Sequence, residues 1–169
     1  MFIIETNPAP QTEVLLKRVN RAIGHIPPHF KLFATVNPKR FEMFLNEIFY
    51  LAMHKTINPD FFALLRFYIA SQENFAYCIQ FNKALLLKKY YSLETITALA
   101  KDTNAFPLDA KHKALFDATV QAVYQPTTFN RERINILKTI GWSDSDIFDA
   151  IDHGAFLFKF SKILKAYSL

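Results

Sequence analysis

Glycine is almost missing from this chain, and that shortage limits the possible folds more than any other feature. Only 3 of 169 residues are Gly. Two-residue hairpin turns need residues that tolerate positive φ, and phosphate-cradling or dinucleotide loops need several glycines close together. Tight hairpins and Gly-rich nucleotide sites are therefore excluded, and the expected fold is all-α. The helix punctuation supports this. Pro10 suits a first helical position and Gly24 a left-handed stop, which predicts a helix over 10–23. Asn37-Pro38 opens a second helix, in which Phe41, Phe44, Leu45, Ile48, Phe49 and Ala52 recur as one apolar stripe. Asn58-Pro59 starts a third, with Leu64, Leu65, Tyr68 and Ile69 inward, ending at a polar break over 71–74.

Beyond that break a helix begins around Cys78, and further starts fall at Ser92, Pro107 (running to Tyr124) and Asn130 (running to Gly141). Ser143 with Asp146 reads as a capping box before the last helix. In that helix Phe156, Phe160, Ile163 and Tyr167 take one face and Ile147, Ile151 and Phe158 another, which predicts cover on two sides. No linker, low-complexity run or repeat interrupts the series, so one domain over 1–169 is expected. A hydrophobic share of 51% is ample for a real core in a soluble, compact chain. Eighteen Phe exceed what one small core needs, which points to a homo-oligomer.

The sole cysteine, Cys78, sits in the first turn of its helix. There the unpaired backbone N–H groups and the positive dipole end favour the thiolate, the nucleophilic form. Around it, residues 58–88 resemble the central two-helix unit of the carboxymuconolactone decarboxylase superfamily, which includes the alkylhydroperoxidase D and peroxidase-related proteins. The family motif is Glu, eleven residues, Cys-x-x-Cys, three residues and His, usually with Tyr before the second cysteine. Tyr77 and Cys78 fit it; Phe75 stands at the first cysteine, Asn82 at the histidine and Ala63 at the glutamate. GHIPPHFKLFA from Gly24, followed by Asn37-Pro38, is similar to the peroxidase-related segment before the long second helix, and LKTIGWSDSDI from Leu137 to that branch's late turn. The resemblance implies an alkylhydroperoxidase D-like bundle of about seven to nine helices.

It also implies a chemistry. In the family the second cysteine attacks, the first resolves it as a disulfide, and His and Glu move protons. Cys78 alone suffices to attack a peroxide O–O bond and become a sulfenic acid, but Phe75 cannot resolve that product. Turnover then requires an external thiol or a cysteine from another molecule. Asn82 lies one turn after Cys78 on the same face, with an amide able to hydrogen-bond a thiolate but not to shuttle protons. Glu73, near the bend, offers a carboxylate from another direction, against the plainer reading of a solvated junction residue. The expected pocket is lined by Phe75, Tyr77, Phe81, Asn82 and Glu73.

Histidines add little. His25 and His29 have i, i+4 spacing, but Pro27 and Pro28 between them make a structural loop the better reading than a metal site. His54 is expected at the negative end of the second helix, His112 in a charged, exposed turn, and Asp152 and His153, as neighbours, do not face each other. No metal or cofactor is expected. A single cysteine also excludes an intrachain disulfide and fits a reducing compartment. The net charge of +5 is spread without a nucleic-acid-binding motif, so no nucleic-acid partner is expected. Lys159, Lys162 and Lys165 read as a solvated rim around an oligomer contact rather than a membrane-binding face. No apolar run reaches the roughly 18 residues of a membrane span, and the first residues lack a signal peptide's basic n-region, so the cytoplasm is expected.

Two functions are consistent with these residues. One is an antioxidant thiol peroxidase acting through Cys78 with an external reductant. The other is a non-catalytic relative that keeps the fold and binds a small hydrophobic molecule or serves assembly. The lactone decarboxylation that names the superfamily has no identifiable acid/base residues here.

Overall fold

The structure, a computed structural model, describes residues 2–168. They pack as two compact units, one from the residues up to Met53 together with those from Ile163 onward, the other His54–Lys162. Among the described residues there are nine α-helices, and the only extended pairing is an isolated antiparallel bridge between Phe2 and Ser168.

The first unit holds a 3₁₀ turn over Pro10–Thr12, α1 (Glu13–Ile23), α2 (Pro28–Val36) and α3 (Pro38–Ala52). Gly24 closes α1 at φ +88°, as a left-handed stop requires. The double proline was expected to leave a loop. Pro27 is extended, but Pro28 takes the first helical position, where its missing N–H costs nothing, and α2 begins there. His29 is thereby carried into an aromatic core, edge-on to Phe30 at 4.3 Å, while Phe30 meets Phe44 at 5.4 Å. Burial lowers the His29 pKa to about 3, so the ring is neutral. The α3 stripe is inward at Phe41, Phe44 and Leu45, but Ala52 is exposed and Leu51 is buried in its place at the last turn.

The second unit is built on α4 (Pro59–Gln72), followed by α5 (Ala76–Lys88), α6 (Leu93–Leu99), α7 (Ala110–Tyr124), α8 (Arg131–Thr139) and α9 (Asp144–Ala166), whose last turn belongs to the first unit. α4 has no solvent face through its first turns: Phe61, Phe62, Ala63, Leu64 and Leu65 are all buried. A single stripe was expected. A helix apolar on every side must instead be enclosed by others, and α5 and α7 pack directly on it.

Side chains cap the helices as the sequence suggested, with Asn37, Asn58, Ser92 and Asn130 accepting from their first-turn amides. One boundary and one register differ. α7 starts at Ala110, because Asp109 rather than Pro107 caps it through the His112 amide at 2.9 Å. In the last turns of α9 Leu164 is buried and Ile163 is 38% exposed, so the inward register follows Phe156, Phe160 and Leu164 at intervals of four.

Gly154 lies where α9 approaches α7 closely. A Cβ there would lie 2.8 Å from Val123 Cγ2 and 3.1 Å from Thr119 Cγ2. Gly154→Ala is therefore expected to destabilise by ~1–3 kcal/mol through overpacking, lowering the thermal midpoint by about 2–4 °C per kcal/mol. Adding Val123→Ala, which removes the nearest methyl, should recover part of the loss in the same melting experiment.

Candidate functional site

The α4–α5 junction is where the sequence concentrates its chemistry. α4 runs through the polar stretch as far as Gln72; Glu73 ends it, and Asn74 at φ +48° turns the chain. Phe75, extended at φ −112°, precedes α5, which places Cys78 third in that helix. Phe75 supplies no side-chain acceptor to the first-turn amides, and no acidic residue lies in that turn. The positive end of α5 is thus left without a neutralising side chain of its own, unlike α3, α4, α6, α7 and α8.

The expected pocket residues divide. Phe75 and Tyr77 are half-buried with ring centroids 6.1 Å apart, and Cys78 and Phe81 are half-buried beside them in sequence. Asn82 is buried, and its Nδ2 donates to the Cys78 backbone carbonyl at 2.9 Å. That amide is tied to the helix's own backbone, while its Oδ1 has no hydrogen-bond partner. Glu73 is not a solvated junction residue: its side chain is 8% exposed and pairs with Lys162 Nζ at 2.8 Å. Lys162 is itself exposed, as expected of a rim lysine, and the pair joins it to a partner far along the chain. Ala63 lies within α4, buried.

The histidines perform other tasks. His54, just past the end of α3, accepts from the Ile57 amide on Nδ1 at 3.0 Å, so its proton sits on Nε2, which donates to Asp149 at 3.2 Å. His112 was expected to be exposed. Its side chain is 13% exposed instead; Nε2 accepts from the Asn58 amide at 3.2 Å and Nδ1 donates to Asp109 at 2.7 Å. Both rings thus serve the backbone leading into α4. His153 is buried against Phe62 and Phe156, and burial first, then the Arg66 charge, hold it well below the usual imidazole range. His25 is exposed. Among the described residues no group of three or more His, Cys, Asp or Glu could hold a metal ion.

Asp146 completes the polar cluster at the start of α9. Its Oδ2 accepts from the Ser143 amide at 2.9 Å and hydroxyl at 2.7 Å, the capping box the sequence predicted, and its Oδ1 accepts from the Thr56 hydroxyl.

No protein-family model matches the sequence, and no curated protein matches it. Solved structures do. An uncharacterized peroxidase-related protein from Silicibacter sp. TM1040 superposes with a TM-score of 0.83 at 16% identity, over 98% of this chain and 89% of that one. An uncharacterized peroxidase-related protein from Ralstonia eutropha JMP134, described as an alkylhydroperoxidase AhpD core, gives 0.83 at 14% identity, over 97% and 88%. The fold is alkylhydroperoxidase D-like. Identities this low carry the arrangement of helices and not the chemistry at Cys78. Among the described residues no helix is long and apolar enough to cross a membrane.

The Asp146 cluster yields a pH test. Burial pushes this carboxyl up, but the hydrogen bonds from Thr56 and Ser143 and the nearby His54 together outweigh it, and the pKa lies below the ordinary value. A depressed folded pKa adds stability that is present above the unfolded value of about 3.9 and lost as pH falls through the folded value. Asp146→Asn should cost ~1.5–3 kcal/mol at pH 7, the range for hydrogen bonds to a charged group. In urea titrations that gap should narrow below pH 4; a gap that stays constant down to acid unfolding would refute the account.

Proposed function

We propose that the protein is a thiol-dependent peroxidase working through Cys78. The observation that carries this reading is the half-buried thiol in the first turn of a helix whose N-terminus has neither a side-chain cap nor an acidic residue. The Cys78 thiolate attacks one peroxide oxygen, the O–O bond breaks, and the departing alkoxide takes a proton to leave as an alcohol. Sulfur is oxidised by two electrons to a sulfenic acid. An external thiol then condenses with the sulfenate, releasing water and forming a mixed disulfide, which a second thiol equivalent reduces. Phe75 makes that outside reductant necessary, since it occupies the position from which a second cysteine would resolve the intermediate. The reading needs no cofactor and suits a reducing cytoplasm. It also expects a homo-oligomer, for which exposed apolar side chains such as Phe148, 67% exposed, supply surface a second copy would cover.

A second reading has one specific observation in its favour. Asn82 spends its amide on the Cys78 carbonyl, and Ala63 is buried and carries no ionisable group, so neither position supplies a proton relay for the thiol. That arrangement suits a non-catalytic relative binding a small molecule through Phe75, Tyr77 and Phe81.

Intact-mass spectrometry with hydrogen peroxide, an organic hydroperoxide and a sulfenate trap separates the two. The peroxidase reading expects one trapped adduct per chain at low peroxide, and none in Cys78→Ser, whose fold and oligomeric state should be unchanged because the substitution is nearly isosteric. If the wild-type thiol reacts only after denaturation, the peroxidase reading is wrong and the binding reading stands.

A further inference from the structure

A concave site lies elsewhere in the His54–Lys162 unit, and its lining includes none of Glu73, Phe75, Tyr77, Cys78, Phe81 and Asn82. It is a cavity of about 300 Å³ between the later face of α7, the first turn of α8 and the 3₁₀ turn at Thr103. That volume is at the lower end of the range for small-molecule sites, about 300–1,000 Å³. Asp117, Gln121 and Tyr124 recur at i, i+4 and i+7 on α7, which sets all three on one helix face. Arg133 reaches the same space from α8.

Three residues of this lining each carry a buried polar atom with no hydrogen-bond partner in the protein: Asp117 Oδ1, Tyr124 Oη and Arg133 Nε. Leaving a buried polar atom unpaired costs about 1–3 kcal/mol, more when charged, so three around one cavity call for a ligand or ordered water to satisfy them. Their chemistry is unequal. Asp117 already gives its other oxygen to Lys113, one turn earlier, and presents a bare anionic acceptor. Arg133 presents a cationic donor. The phenol of Tyr124, packed edge-on against Phe158 at 6.1 Å, stays protonated, because burial and then the neighbouring Glu73 and Tyr68 push its pKa up. Asp102 and Asp117 act together on Tyr68, after burial, in the same direction, so the acidic character extends along this side. Gln121 donates to Thr128 Oγ1 at 3.0 Å, which leaves its carbonyl oxygen for a further donor. Val120 is the one aliphatic side chain in the lining.

We infer that this cavity binds a small zwitterion of the free amino acid class, with its ammonium on Asp117 and its carboxylate on Arg133 and Tyr124. A fatty molecule would leave the anion, cation and phenol unsatisfied, and an acid or amine alone would satisfy one charge and strand the other. The site makes no use of Cys78.

The test uses the purified full chain. Thermal melting with each of the twenty free L-amino acids at millimolar concentration comes first, followed by titration calorimetry of any that raises the midpoint. At least one is expected to bind, with its amine-only and acid-only counterparts at least tenfold weaker. Arg133→Gln and Tyr124→Phe should each weaken it by tenfold or more, as should Asp117→Asn, while Cys78→Ser leaves its affinity unchanged. Arg133→Gln and Tyr124→Phe keep the test decisive should Asp117→Asn fail to fold. A cavity that holds only water would show no midpoint shift with any amino acid, which overturns the inference. Binding that survives in Arg133→Gln, or that the acid-only compound reproduces, overturns it equally.

Discussion

The entry into α4 is the constraint on which the second unit depends. The stretch of α4 from Phe61 to Leu65 is apolar and buried on every side, so it has no polar face to fix its rotation or depth, and packing alone would leave neighbouring registers close in energy. The segment just before it supplies the missing definition. His54 holds the Ile57 amide, His112 from α7 holds the Asn58 amide, and Asn58 itself accepts from the Asp60 amide at 2.9 Å. Asp149 and Asp146 of α9 anchor His54 and Thr56 in turn. Two imidazoles expected at a helix end and in an exposed turn are thus backbone acceptors. They are half-buried and bonded at both nitrogens, which ties the start of the central helix to two of its neighbours.

Much of the architecture was legible because its signals are local. A cap side chain or an Asn-Pro pair acts within a few residues of where it is written, so Asn37, Asn58, Ser92 and Asn130 could be read without knowing what lies nearby. The errors came where a local signal had two uses. Pro27-Pro28 breaks a helix that tries to pass through it but also starts one cleanly, and periodicity over nine residues was too short to decide. Pro107 was a possible start, yet Asp109 two residues later offered an oxygen that the first-turn amides bind directly. Lys162 is outward as expected, but its ion pair was hidden: its partner, Glu73, lies at the far end of α4, and nothing in a linear sequence pairs them.

The site was legible only in part. Cys78 stands in the first turn of α5 as its spacing from the polar break implied, and Phe75 sits immediately before that helix. What the spacing could not reveal was how Asn82 is employed. Its position one turn after Cys78 puts it on the right face, but the nearest strong acceptor along a helix is the carbonyl four residues back, and that is where its amide goes. The α7 cavity escaped notice because Asp117, Gln121 and Tyr124 read as an ordinary polar helix stripe, and only the position of Arg133 turns it into an enclosure.

Ala63 has a consequence of its own. It is 2% exposed in the middle of the fully enclosed stretch of α4. A carboxylate placed there would enter a neighbourhood of packed methyl and ring groups, where its charged form is strongly disfavoured. Installing a carboxylate at residue 63 would therefore first require loosening the helix around which the unit is assembled. A charged group at residue 63 has to be accommodated by the packing of the core before it can take part in any chemistry at the α4–α5 junction.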